Sequence, residues 1–582
     1  MEPIFIGIDL GTTHSAIFYA SDELTQGKIE SFSIPQLIAP GQVSEQTLLP
    51  SFVYTPHESE FLQSDLLLPW GNSPLIVGQL ARELGSKSSG RLVQSAKSWL
   101  CHTTVNAEEK VLPIDALDEV PKLSPAQVTE RLLRYLADAW NNSFPNHPIQ
   151  QQNVVITVPA SFDPAARSMT EQASQKIGLN ARLIEEPLAA FYAWLSEQEK
   201  WTSTLEVNDQ VLVIDVGGGT TDLSLIQVTD ADGHLQLERI AVGRHILLGG
   251  DNMDMSLTYH VAGKLAQDGV QLEAWQISAL TQACRAAKET LLKDGEIHET
   301  SIVVPSRGRS LLANTIKSSL SRDEVNQVIL NGFFPQVGIG ERAQKLARSG
   351  IRALNLEYEA DPAITRHISE FLTTNHSAPN KVLLNGGVFN SEIIVNTLCA
   401  QLSVLLNHQE VSMLTPSHLD FAVAKGASYY AQINAQGGIK VKSGLSANYY
   451  IGVESPMPAI PGMSVPIDGI CIAPFGLEEG ASEVVLPNEF SLVVGEDVQF
   501  RFFQSNQSEP QAVGSMVSSF SISSLLELSP ISVRLFEGHY KLGELVRVVL
   551  TAKVTELGIL VIEACDTQSD LTWTLEYQVR VS

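Results

Sequence analysis

Two nine-residue stretches carry most of the chemistry legible in this chain: "IDLGTTHSA" (Ile8–Ala16) and "IDVGGGTTD" (Ile214–Asp222). Each ends an apolar run. In each, an aspartate (Asp9 or Asp215) stands two residues before a glycine (Gly11 or Gly217), and threonines follow (Thr12 and Thr13, or Thr220 and Thr221). Glycine there lets the backbone turn sharply or approach a ligand closely. Backbone amides in such a turn point at an anion, and threonine hydroxyls add donors. A carboxylate beside a phosphate is repulsive unless a cation lies between them, so the pattern implies Mg²⁺ held mainly through water. One strand–Gly–Thr turn is an ordinary loop. Two copies with the same Asp–Gly spacing point to an internal duplication that clamps a polyphosphate from both sides.

These turns need strands to carry them. "IFIGIDLG", "VVITVPA" (Val154–Ala160), "VLVIDVGGG" (Val211–Gly219) and "KVLLNGG" (Lys381–Gly387) are short apolar runs ending in Gly or Pro, the pattern of buried central strands. Helices with explicit start signals lie between them. Ser124-Pro125-Ala126-Gln127 and Ser321-Arg322-Asp323-Glu324 read as capping boxes, and Asp163-Pro164 and Asp361-Pro362 as caps followed by proline. Strands alternating with helices predict an α/β fold up to about Ala435. A Gly-, Ser- and Lys-rich stretch at 435–447 reads as a linker. Beyond it, β-branched and aromatic runs separated by Gly, Asp and Asn predict a small antiparallel β-sandwich over 448–582.

The 582 residues suggest two to four domains, and 44% hydrophobic residues provide for sizeable cores. A formal net charge of −27 repels nucleic-acid backbones and anionic membranes, so neither is an expected partner. Five scattered cysteines (Cys101, Cys284, Cys399, Cys471, Cys565) form no CxxC pair and argue against a disulfide framework or zinc site. "MEPIFIGIDLG" has neither a basic n-region nor a long apolar h-region, and no run approaches a membrane span. The expected location is the cytoplasm.

From Ile4 to Tyr430 the chain resembles the actin-like ATPase superfamily and, more closely, the 70-kilodalton heat-shock (DnaK-like) chaperones. The two turns look like the family's phosphate motifs. Residues 154–194 are similar to its connecting segment, "LLGGDNMD" (Leu247–Asp254) to its Gly-Gly-acid loop, "KVLLNGG" to its nucleoside motif, and "DFAVAKGAS" (Asp420–Ser428) to the segment that closes the nucleotide domain. The resemblance implies a two-lobed, duplicated ribonuclease H-like nucleotide domain (1–434) that takes ATP or ADP with Mg²⁺. It implies phosphate contacts from Gly11, Thr12, Thr13, Gly217, Gly218, Gly219 and Thr220, and nucleotide contacts from Gly249, Gly250, Asp251, Lys288, Gly386, Gly387 and Asp420. Asp9 and Asp215 would order the Mg²⁺ shell, with Lys97, Glu186 and Thr220 as catalytic residues.

Lys97 also reads as a solvated lysine on an amphipathic helix. Asp222 reads equally as a Mg²⁺-shell residue or a cap on the next turn, and Arg167 and Asp163 as structural ties. Arg182 matches the arginine that meets a J-domain, or is a surface arginine. The nucleoside side departs from the family. Glu289 and Asn390 stand where arginines are usual, and Leu292 replaces a polar residue, which implies looser nucleotide binding. The linker lacks the family's leucine run and aspartate, and no helical lid is expected after the sandwich.

The leading expectation is an ATP-hydrolysing, chaperone-like protein that binds extended peptide or unfolded client and works with a J-domain co-chaperone and an exchange factor. The alternatives are a nucleotide-dependent switch with one dedicated partner, or a small-molecule kinase on the same fold.

Overall fold

The computed structural model describes residues 3–574 except 86–87, 103–104, 117–118, 199, 232–233, 294–295, 306–314, 345–355, 408–410, 416–417, 443–444, 446, 455–465, 479–482, 496, 506–508, 520, 535–539, 556–559 and 570. The apolar runs become the middle strands of two sheets that share one topology. In the first lobe β1 (Phe5–Leu10), β2 (His14–Ala20), β3 (Ile29–Ser31), β4 (Asn153–Val158) and β5 (Arg182–Glu185) lie in the order β5-β4-β1-β2-β3. In the second, β6 (Gln210–Val216), β7 (Thr221–Ala231), β8 (His234–Val242), β9 (Lys381–Asn385) and β10 (Ser412–Leu414) lie in the order β10-β9-β6-β7-β8. In each sheet the first three strands are antiparallel and the last two join in parallel. Each acid–glycine–threonine turn is therefore the hairpin loop between the first two strands of its sheet.

Local chemistry sets most helix starts. In α1 (Pro125–Ser143) Ser124 Oγ accepts from Gln127 N at 3.1 Å, and Gln127 Oε1 accepts from Ser124 N at 3.1 Å. Asp163 caps α2 (Pro164–Lys176) by accepting from Ala166 N at 2.8 Å. α3 (Glu186–Glu197) follows β5 directly. α4 (Gly250–Gln267) and α5 (Ala274–Lys293) pack on the second sheet. Ser321 and Glu324 form the expected reciprocal box at the start of α6 (Arg322–Phe333). Asp361 does not cap a helix. Its carboxylate accepts from Ala363 N and Gln344 N and pairs with Arg366, so α7 (Ile364–Thr374) begins two residues later than the Asp-Pro signal implies.

The lobes share a floor. α3 and α8 (Ala422–Gln436) lie between the sheets, and Phe5, Ile184, Val213, Leu383, Phe191 and Ala427 belong to one buried cluster. The C-terminal region is a sandwich. One sheet runs Met516–Val517, Ile467–Ala473, Asn448–Glu454, Asp497–Ser505, Leu526–Arg534, and the other Val484–Val493, Leu545–Val554, Leu560–Asp566, Thr572–Thr574. Inward residues alternate, with Val546, Val548 and Leu550 meeting Ile451, Ile472 and Phe502 in one core. No described helix is long and apolar enough to cross a membrane. The five cysteines are free thiols.

The polar linker is not wholly irregular. Val441–Lys442 adds a parallel strand to the edge of the second sheet, with Val441 opposite Leu237 and Lys442 opposite Glu238. Val441 is 4% exposed, and its N–H donates to Tyr192 Oη at 2.8 Å. One valine among Gly, Ser and Lys supplies the apolar contact. Val441→Asp would place a carboxylate in that apolar slot, and the strand should detach rather than bury it. Hydrogen exchange at residues 441–442 should then approach that of an unstructured segment. Undiminished protection would contradict the pairing.

Candidate nucleotide site

The two hairpin loops touch. A Cβ added at Gly218 would lie 2.2 Å from Thr13 Cγ2, so the absence of a side chain there is what allows the loops to close on each other. The first loop is held by Ser51, whose hydroxyl donates to Gly11 O at 2.7 Å and whose N–H donates to Thr13 O at 2.8 Å. The second closes through Gly217 N to Thr220 O at 2.9 Å. The first turn of α4 then binds it from behind, with Gly250 N donating to Gly217 O at 3.0 Å and Asp251 N to Gly218 O at 2.7 Å.

Between the lobes lies a cavity of about 380 Å³. Its walls include Asp9, Gly11, Thr12, Thr13, Glu186, Asp215, Gly217, Gly218, Thr220, Gly250, Asp251, Lys288, Gly386, Gly387 and Asp420. Gly219, Gly249 and Lys97 stand behind the wall. Gly249 backs onto the Gly217 carbonyl, and Gly219 faces Thr12 and Ser98. Gly386 combines φ +96° with a carbonyl, Val216 O, 2.2 Å from where a Cβ would sit, so no other residue fits beside Asp215.

Lys97 is not a solvated helix lysine. It sits in the 3₁₀ segment Ala96–Cys101, is 7% exposed, and is ion-paired to Glu186. Asp9 accepts from Thr157 Oγ1 at 3.0 Å. Asp222 is neither a cap nor part of the cavity wall. It accepts from Ser161 N at 3.2 Å and Ser161 Oγ at 2.9 Å, and so ties the second lobe to the first. Arg167 ties the connecting segment together, donating to Ala160 O, Phe162 O and Glu185. Arg182 stands half-buried at the start of β5.

Four carboxylates, Asp215 and Asp222 buried and Asp9 and Glu186 partly buried, raise one another at the meeting of the loops, and Lys97 pairs with Glu186. Burial and the charge of Glu186 push the Asp9 carboxyl up to about 6, against the pull of Lys97. Burial, Glu186 and Asp222 push Asp215 well above the usual carboxylate range. Burial also raises Glu186, partly offset by Lys97, and raises Asp222 despite its bonds to Ser161 and Thr220. Among the described residues no three acidic, His or Cys groups stand close enough together to ligate a metal directly.

The end of the cavity bordered by α4 and α5 carries Arg285 and Asp254, which were not among the candidate site residues. Arg285 bonds Asp251 at 2.6 Å and Asp254 at 2.6 Å, and Lys288 pairs with Asp254 at 2.7 Å. Burial alone would raise Asp254, but Lys288 and Arg285 hold it below its ordinary value. Arg82, Arg285 and His14 also line the cavity; burial, with the charges of Arg82 and Arg285, pushes His14 down to about 4. Arg285 was legible as a charge in "CRAAKETLL", but its partners lie on another helix.

Comparison with known proteins agrees with the duplicated sheets. The family model described as Hsp70 protein matches residues 5–337, more than half of the chain. This chain belongs to the Hsp70 protein family. Three Acinetobacter baumannii proteins named chaperone protein HscA homolog (strains AYE, ACICU and AB0057) are each 30% identical to it over 293 residues. The matched stretch is 50% of this chain and 42% of each relative, so the Hsp70-family chain aligns with less than half the length of these relatives.

Raised carboxyls make the ligand-free site a source of instability. For Asp9 the folded value, about 6, exceeds the ordinary aspartate value of 3.8, so its contribution to stability is fully present below about 4 and is lost as pH rises through 6. Asp9→Asn should therefore stabilise the nucleotide- and metal-free protein at pH 7.5, on the order of 1–3 kcal/mol. The gain should shrink as pH falls toward 4. Thermal melts across that range check it, and a pH-independent difference would refute the electrostatic origin.

Proposed function

We propose that the chain is an ATP-binding and slowly hydrolysing chaperone-like protein that couples a Mg²⁺-dependent nucleotide cycle to binding of extended peptide. The observation that supports this most is the closure of two matching hairpins over one cavity with Glu186 and Lys97 beside it. The donor set suits a hydrated divalent cation. Four carboxylates with raised pKa favour a nearby positive charge, and among the described residues no three are grouped for direct ligation. Asp9 and Asp215 would hold its water shell. When bound, Mg²⁺ would neutralise charge on the phosphates.

The chain's own residues would do the rest. Amides of Gly11–Thr13 and Gly217–Thr220, with the hydroxyls of Thr12, Thr13 and Thr220, bind and orient the phosphates from two sides. Glu186, fixed by Lys97, orients the attacking water and takes up its proton. The same lysine places a positive charge near the γ-phosphate. Phosphoryl transfer chiefly needs an aligned nucleophile and neutralised charge. Gly386 and Gly387 let the backbone approach the nucleoside, and Lys288, Asp251 and Asp420 border it. The sandwich (448–582) would receive the client by strand addition. The segment 435–447 would join it to the nucleotide domain (1–434). A J-domain partner near Arg182, an exchange factor and a cytoplasmic location belong to the same reading.

Single-turnover hydrolysis of ATP by the full chain tests this, with Thr220→Ala and Lys97→Ala as variants and peptide present or absent. The expected result is slow hydrolysis, reduced about 100-fold or more by either substitution and stimulated by peptide. ATP binding without hydrolysis would replace the reading with a switch. Phosphate appearing on an added metabolite would replace it with a kinase. Calorimetry should give micromolar rather than nanomolar ATP affinity, because Glu289 and Asn390 stand in place of stacking arginines. Nanomolar binding would overturn that expectation.

A further inference from the structure

Glu185, the residue before Glu186, is held by two arginines from different lobes. Arg167 of α2, in the first lobe, donates to Glu185 Oε1 at 2.5 Å. Arg239 of β8, in the second lobe, pairs with Glu185 Oε2. All three are largely buried, Arg239 and Glu185 at 6% exposure each. Glu185 is the residue from which α3 starts, yet its carboxylate caps no amide of that helix. It is committed to the two guanidiniums instead. The backbone around it is fixed by parallel pairing of Glu185 with Val158 and by Pro187 in the first turn.

Arg239 lies on the face of its strand that it shares with Leu237 and with Ile226 and Val228 of the neighbouring strand, all buried and apolar. An arginine there must find a buried partner. The pairing of β7 with β8 shifts at this point. Leu225 stands opposite Ala241 and Ile226 opposite Arg239, which leaves Ile240 as an extra residue. A bulge of this kind re-aims the adjacent side chain. Two residues before Arg239, Leu237 pairs with Val441, so the strand is covered on its outer edge.

We propose that Arg239 is a positioning residue for Glu186, acting from the second lobe through Glu185. The inference rests on the reading of Glu186 as the group that orients the attacking water. A rotation of one lobe against the other moves Arg239 relative to Glu185. The first turn of α3 and the Glu186 carboxylate move with it. Arg239 touches neither the cavity nor the phosphates, so its loss changes alignment and leaves binding intact.

Arg239 can be removed without stranding a charge, because Glu185 keeps Arg167. The full chain is compared as wild type, Arg239→Met and Arg239→Lys. Single-turnover ATP hydrolysis should fall about 10- to 100-fold in Arg239→Met, with ATP affinity by calorimetry unchanged, and Arg239→Lys should recover part of the rate. An unaltered rate overturns the proposal. So does a loss of affinity that matches the loss of rate, because that marks a general weakening of the site. Hydrogen exchange of the Glu186 and Leu188 amides, measured without nucleotide, separates this from the reading it rests on. If the wild type hydrolyses nothing, the hydrolytic reading fails, and faster exchange in Arg239→Met but not Arg239→Lys still supports positioning. Exchange identical in all three proteins sinks the proposal whatever the rates.

Discussion

The constraint on which the molecule turns is the mutual repulsion of Asp9, Glu186, Asp215 and Asp222 at the meeting of two hairpins, with Lys97 paired to Glu186. If all ionise, these four and Lys97 together carry a formal excess of three negative charges. Asp215 and Asp222 are buried and Asp9 and Glu186 partly so, so water screens them only weakly. The chain cannot relieve the crowding by drawing the loops apart. Thr13 rests against Gly218, and the lobes are pinned beneath by the α3–α8 floor. The remaining outlets are protonation, which the raised pKa values describe, or a cation. That choice makes the site responsive to what enters it.

Contacts across the lobe boundary keep the strain local. Ser161 reaches Asp222 at 2.9 Å and His245 at 2.7 Å, Ser95 reaches Asp251 at 2.8 Å, and Arg239 grips Glu185. Each contact joins a residue of the first lobe to one of the second. None belongs to the apolar floor, so relative rotation of the lobes would break polar contacts while the floor deforms. The seam is ordered by hydrogen-bond geometry, which tolerates only tenths of an ångström, more than by apolar packing.

Features governed by neighbours in sequence were legible before any coordinates. The hairpin loops, the apolar strands and the caps at Ser124, Asp163 and Ser321 each follow from a few adjacent residues, as did the change to β texture beyond the linker. What escaped depends on elements far apart in the chain. Arg285 has its meaning only once α5 packs on α4 and brings Asp251 and Asp254 to it. Lys97 reads as solvated until a 3₁₀ turn buries it against a residue 89 positions away. Arg239 in "LQLERIAV" sits at an apolar position of an alternating strand, a visible mismatch with no visible partner. Asp361 misled because its carboxylate has Arg366 and two amides to satisfy, and helix capping lost that competition.

The two ends of the cavity differ in charge balance, and this difference bears on where affinity would come from. At the end bordered by α4 and α5, the proposed nucleoside end, Asp251 and Asp254 are matched by Arg285 and Lys288. Asn390 donates to Asp420 at 2.9 Å, and Glu289 faces the charge of Arg82 from the opposite lobe. Polar groups that could have met a base are thus occupied with one another, and apolar Leu48, Val388, Ile394 and Leu419 fill the spaces between them. Apolar walls hold a flat ring but discriminate weakly among rings of similar shape. The hairpin end, where the phosphates are proposed to sit, is the reverse, rich in donors and short of positive charge. A nucleotide bound here would draw most of its affinity from the phosphates together with their cation, and little from the identity of the base.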